Sequence, residues 1–230
     1  MDANQRAVYS IDLRCERRGK MLKEACVENF TEVPNVIAKG AGRIELCDNL
    51  AVGGTTVSYG VAVVTISYCH SQNIKVMTMV RPRGGNFIYN NEEIKMMEVD
   101  LIHMRQIGTD GVVLGCLDEK GWIDETAMIT LLELAKGIEV TFHMAFDHIH
   151  PKYQLNAIDW LIEHGVHRIL THGGPSGSRI EDNLFRLKEY IDYAAGRIII
   201  LPGGGITNKN LDSITSALNI CEAHGTRIVG

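Results

Sequence analysis

Two segments set a carboxylate and a thiol two positions apart in apolar surroundings: Glu24-Ala25-Cys26 in LKEACVE and Glu45-Leu46-Cys47 in RIELC. In an extended strand, residues i and i+2 share a face, so each acid would lie beside its thiol. Two thiols on neighbouring strands would give soft ligands that suit Cu(I), for which two or three are enough. Structural zinc takes about four ligands, and no second Cys/His pair is visible to complete such a set. A buried cysteine is also often a small apolar filler, which is the plainer reading of Cys69, Cys116 and Cys221. Glu24 and Glu45 could equally be core charges paired with Arg81 or another inward cation, because buried charges persist only when paired.

Other residues suggest a pocket rather than a lone ion site. In VRPRGG, Arg81 and Arg83 flank a proline and precede two glycines. Guanidinium forks bind carboxylate or phosphate bidentately, although both could instead neutralise Glu24 and Glu45. VTFHMAFD carries His143 and then Asp147, RILTHGG carries His172, PGGG carries Gly203 and Gly204, and EAHG carries Glu222 and His224. Glycine clusters serve any tight turn, but in a barrel the loops after the later strands often hold phosphate on backbone N–H groups. His143 and His224 are the candidates for moving a proton near neutrality, with Glu45 or Glu222 assisting. His70, His103, His148, His150, His164 and His167 fall on helices or loops and read as solvated or capping residues. No Ser–His–Asp order, HExxH, phosphate-binding Walker loop or strand-end Schiff-base lysine is present, and Lys75 starts its strand.

These residues need a scaffold that brings many strand ends together. Apolar strand segments recur at 22–28, 43–47, 75–80, 111–116, 139–146, 168–173, 197–205 and 220–225. Between them lie helical stretches at 30–40, 58–72, 92–107, 124–136, 152–165, 180–195 and 207–218, with Asn91, Asp124 and Thr207 as expected N-caps. Residues 58–72 are rich in β-branched side chains, the least helical composition of the seven. Alternation of nearly continuous apolar strands with helices predicts a parallel sheet covered on both faces. Eight strands at near-constant spacing predict an α/β fold of the (β/α)8 TIM-like barrel kind, with its last helix short or missing. An open doubly wound sheet would more often show GxGxxG after the first strand, which is absent here.

The 230 residues are 45% hydrophobic and 22% charged, with a formal net charge of -5. That balance argues against a nucleic-acid surface, and no apolar run approaches the roughly 20 residues of a membrane-spanning helix. The six cysteines are dispersed without a CxxC pair, the pattern of a reducing cytoplasm rather than a disulfide framework. Residues 1–20 are polar and read as a leader or over-extended start, leaving 21–230 as one barrel domain; homo-oligomerisation is compatible with this reading.

RIELCDNLAVGGTT, MVRPRGGNFIY, VTFHMAFD, RILTHGG and EAHGTRI resemble, in order, the signature segments of the copper homeostasis protein CutC family. The resemblance runs from about Met21 to the C-terminus. It implies a cytoplasmic TIM-like barrel, an association with copper tolerance, and copper ligands at Cys26 and Cys47. Met144 stands where the family commonly has arginine. Two functions follow as expectations. One is Cu(I) binding at the C-terminal mouth of the barrel. The other is an enzyme acting on a small phosphorylated or carboxylated metabolite, with Glu24, Arg81, Arg83, Asp147, His172, Gly203 and Gly204 binding the ligand.

Overall fold

A computed structural model describes residues 21–175 and 177–230, so the expectation for residues 1–20 lies outside the described residues. Its strands are β1 (Leu22–Glu28), β2 (Arg43–Cys47), β3 (Lys75–Met79), β4 (Gly111–Leu114), β5 (Glu139–Phe142), β6 (Arg168–Thr171), β7 (Ile199–Pro202) and β8 (Glu222–Gly225). They form one sheet in the order β7-β6-β5-β4-β3-β2-β1-β8, and its ladders are parallel. The two end strands meet at a seam just past their C-terminal ends. There Thr207 and Arg227 form a parallel bridge, and the Asn208 N–H donates to the Arg227 carbonyl at 2.9 Å. Gly225 permits this approach, since a Cβ would lie 2.4 Å from the Ile206 carbonyl oxygen. The sheet is thus a nearly closed barrel, as the spacing predicts.

The intervening helices are α1 (Val33–Ala38), α2 (Tyr59–Ser71), α3 (Asn91–Gln106), α4 (Glu125–Leu134), α5 (Gln154–Glu163), α6 (Leu184–Ala194) and α7 (Leu211–Leu218). The β-branched stretch does become a helix, because Ser58 caps it through the Val61 N–H and its apolar side chains pack on the sheet. Asp124 caps α4 as expected. The cap of α3 is Asn90 rather than Asn91, in a capping box with Glu93. Thr207 lies before its helix, its N–H donating to Asn210 Oδ1 at 2.8 Å, and α7 starts four residues later than its predicted start at Thr207. No helix follows β8 among the described residues.

β5 stops at Phe142 instead of Phe146. His143 Nδ1 accepts the Ala145 N–H at 3.3 Å and bends residues Met144–His148 into a 3-10 turn. β7 ends at Pro202, since Gly204 and Gly205 take positive φ. Strand alternation sends Ile44 and Leu46 outward against the helices, and Arg43, Glu45 and Cys47 inward. The sheet–helix layer is an aliphatic core. The barrel interior differs: Cys26, Cys47, Met77, Met79 and Val113 pack together there, beside buried Glu24, Arg43, Glu45, Arg168, Glu222 and His224.

Candidate functional site

The interior charges fall into two tiers. In the lower tier Arg43, Arg168, Glu139, Glu222 and Lys75 are the first residues of their strands. Arg43 Nη2 donates to Glu222 at 2.9 Å, and Arg168 Nε donates to the same oxygen at 3.0 Å. Arg168 continues to Glu139, which also meets Lys75 at 2.7 Å. From Arg43 the ladder climbs through Glu24, bonded by its Nε, to His224 Nδ1, which meets the other Glu24 oxygen at 2.8 Å. Burial opposes ionisation of Glu24, but Arg43 and His224 outweigh it and hold the carboxyl near 2. Thus the cation that balances Glu24 is Arg43 rather than Arg81. Glu222 sits at the opposite end of the barrel from the mouth, which removes it from any group acting there.

The upper tier lies at the C-terminal ends of β1, β2, β5 and β8. Cys26 Sγ stands 3.7 Å from Cys47 Sγ and 3.3 Å from Glu45 Oε1. Ligating atoms of Cys26, Glu45 and His224 lie within 4.8 Å of one another, and all three residues are buried. Cys47 lies behind Cys26, 3.5 Å from the Val27 carbonyl. Cys26, Cys47, Cys69 and Cys116 are free thiols. The bond to Cys47, burial and the neighbouring Glu45 all push the Cys26 thiol well up. Burial likewise raises Glu45. Among the described residues no arginine bonds Glu45; its Oε2 has no hydrogen-bond partner and lies 3.9 Å from His224 Nδ1.

The two histidines have opposite characters. Burial tends to discharge His224, but Glu45 and Glu24 beside it raise its pKa. His143 is pushed down to about 3 by burial and by the Arg81 charge, so it is neutral and not the near-neutral acid–base expected. Because its Nδ1 accepts a backbone N–H, the proton resides on Nε2, and that atom is buried without a partner. His143 is therefore a hydrogen-bond donor without an acceptor among the described residues.

These groups surround a chamber of about 200 Å³ lined by Cys26, Glu45, Met79, His143, Leu170 and His224 among others. Above it opens a vestibule of about 750 Å³ that reaches Arg81, Asp147, His172, Gly174 and Ser178. Phe87, Met144, Gly53, Gly204 and Gly205 line both. Of the expected anion clamp, Arg83 is engaged elsewhere, while Arg81 is held by backbone carbonyls with its buried Nε left without a partner among the described residues. Arg81 donates to the carbonyls of Val52, Gly54 and Gly85 at 2.8–3.0 Å and lies over Phe87. Arg83 pairs with Glu93 and bonds the Ile88 carbonyl at 2.7 Å, outside the mouth. Asp147 is spent on the next loop, accepting the His172 N–H at 2.9 Å, the Gly173 N–H at 3.3 Å and the Thr171 hydroxyl. His172 bridges Ser178 at 3.1 Å and the Gly203 carbonyl at 3.3 Å, tying two loops together. A Cβ on Gly203 would strike Leu170 at 2.5 Å, and one on Gly204 would meet Met144 at 2.8 Å. Both glycines allow the close packing that shapes the mouth.

Sequence reasoning passed over Arg43, Arg168, Met79 and Phe87. A signal existed for Arg43, which shares the parity of Glu45 and Cys47 in RIELC and so had to face inward with them. For Phe87, a loop residue, no such periodic signal exists.

The model of the CutC family matches residues 21–229. A CutC family protein of Enterococcus faecalis is 56% identical over 209 residues, covering 91% of this chain and all of that protein. The mouse copper homeostasis protein cutC homolog is 41% identical over 88% of this chain and 72% of its own length. A crystal structure of CutC from Streptococcus agalactiae superposes with a TM-score of 0.88 at 43% identity, covering 90% of this chain and 99% of that one. An aldolase, QR15, shares the fold at TM-score 0.66 and 13% identity.

Proposed function

The chain belongs to the CutC family, and we propose that it handles copper by holding Cu(I) at the mouth of its barrel between Cys26 and Cys47. The observation that carries this reading is the pair of inward sulfurs 3.7 Å apart. That separation lies within the reach of two metal–sulfur bonds of about 2.3 Å each. Thiolates and thioethers select soft ions such as Cu(I), and Met79 adds a third sulfur-bearing side chain to the same cluster. The naming of the mouse relative as a copper homeostasis protein points the same way. Cys26 and Cys47 would be the ligands, and His224 and Glu45 stand within reach to complete or adjust the set.

Because sulfur ligates a metal as thiolate, loading would release protons. Glu45, 3.3 Å from the Cys26 sulfur, is placed to receive one. Free thiols at the mouth suit a reducing compartment, consistent with a cytoplasmic protein. No helix among the described residues is long and apolar enough to cross a membrane. Anaerobic titration with Cu(I) against a chromogenic chelator tests the reading. One tight site per chain is expected, lost in the Cys26→Ser/Cys47→Ser double variant; equal retention of copper by both proteins would sink it.

A further inference from the structure

Copper does not account for the whole chamber. Cys26 on β1 and Glu45 on β2 form one wall, with Cys47 behind Cys26, while His143 stands just past the end of β5. Among the described residues six buried side-chain atoms have no partner: Glu45 Oε2, His143 Nε2, Thr141 Oγ1, Thr65 Oγ1, Arg81 Nε and the Tyr89 hydroxyl. Glu45 and His143 line one chamber. Unpaired buried polar atoms are costly and mark places where a partner from outside completes the set. A single water needs only about 10–15 Å³, so a chamber of about 200 Å³ has room for an organic molecule.

The lining indicates which molecule. Among the described residues it includes no lysine or arginine. Two carboxyls, Glu24 and Glu45, flank His224, so an anion at this inner wall would meet the Glu45 carboxyl. The Arg81 guanidinium, bonded to neutral carbonyls and with its Nε unpartnered among the described residues, lines the vestibule above instead. A neutral carbonyl oxygen, by contrast, can accept from His143 Nε2–H. A hydroxyl on the adjacent carbon can pair with Glu45 Oε2, and further hydroxyls would extend into the glycine-lined vestibule.

We propose that the inner chamber binds a small uncharged α-hydroxycarbonyl compound, oriented by the His143 Nε2–H and the Glu45 carboxyl. This goes beyond copper handling and does not depend on it. Cys47→Ser, at a residue outside the chamber's lining, keeps the organic site while weakening copper, and His143 variants keep copper while losing the organic ligand.

The test uses the metal-free full chain and dihydroxyacetone as probe. Glycerol, with the same carbon skeleton and no carbonyl, and lactate, an anion of similar size, are the controls. Saturation-transfer NMR should show saturable binding of dihydroxyacetone at millimolar concentration, with glycerol and lactate each at least about 10-fold weaker, the worth of one net hydrogen bond of about 1.4 kcal/mol. His143→Leu should lose about the same factor, and His143→Gln, which keeps a neutral N–H donor, should recover part of it. If His143→Leu fails to fold, the glycerol comparison on the unaltered chain and the His143→Gln variant decide alone. No saturation at tens of millimolar would mean that the orphaned atoms serve water only, and the proposal falls. It falls equally if lactate or glycerol matches dihydroxyacetone, or if a folded His143→Leu variant binds it unchanged.

Discussion

The lower and upper tiers of the barrel interior are built from similar residue types and end in opposite conditions. Below, Arg43 and Arg168 share Glu222, Glu24 takes Arg43, and Glu139 takes Arg168 and Lys75. Above, Cys26 and Cys47 touch only each other, Glu45 and the Val27 carbonyl among the bonds found, while Glu45 Oε2 and His143 Nε2 find no partner. TIM barrels more often fill this space with branched aliphatic side chains. Here a paired ionic floor carries a set of unfilled valences. Where buried polar groups are mutually satisfied they hold the fold, and where they are not they await a ligand.

The largest effect that could break this contrast is in the floor. Arg43→Met should destabilise the protein by about 3–5 kcal/mol, because buried Glu24 would keep only His224 as a cationic partner and buried Glu222 would lose one of the two arginines it shares. Urea denaturation reads it; a loss below about 1 kcal/mol would show that the ladder is not structural.

Next comes acid. Glu24 has its folded pKa near 2 against an ordinary 4.5, so its contribution is complete above 4.5 and vanishes as the pH falls towards 2. Stability should decline over that window by roughly 2–3 kcal/mol from Glu24, with Glu139, also held near 2, contributing in the same direction. Urea midpoints across pH should show the slope, and Glu24→Gln should flatten it.

The smallest effect belongs to the upper tier. Glu45 is raised by burial, so its contribution runs the other way and is lost as pH rises through its folded pKa. Glu45→Gln should therefore change stability by no more than about 1 kcal/mol and reduce any decline that sets in as pH rises above the ordinary carboxyl value of 4.5. A cost comparable to that of Arg43→Met would erase the distinction between the tiers.

The barrel was legible because its strands are short apolar runs separated by amphipathic helices, a repeat that leaves few other topologies. The mouth was legible in its membership: Cys26, Cys47, Glu45, His143 and His224 do converge. What failed was partnership. Which acid meets which base depends on strand stagger, and stagger puts Arg43 opposite Glu24 in register while leaving Arg81 beyond the end of β3. Glu222 and His224 are two residues apart on one inward face, yet only His224 reaches the mouth, since each step of two climbs about 6.6 Å along the strand. His143 could not be read as neutral without seeing the Ala145 N–H on Nδ1 and the burial around it.

The central claim is that the unfilled upper tier holds Cu(I) through two sulfurs from adjacent strands. Copper X-ray absorption on the anaerobically loaded protein tests it most directly. The account predicts sulfur bonded to the metal, with both Cys26 and Cys47 contributing, and a spectrum in which single Cys26→Ser and Cys47→Ser variants each lose one sulfur. A copper environment of nitrogen and oxygen alone, unchanged in those variants, would contradict it.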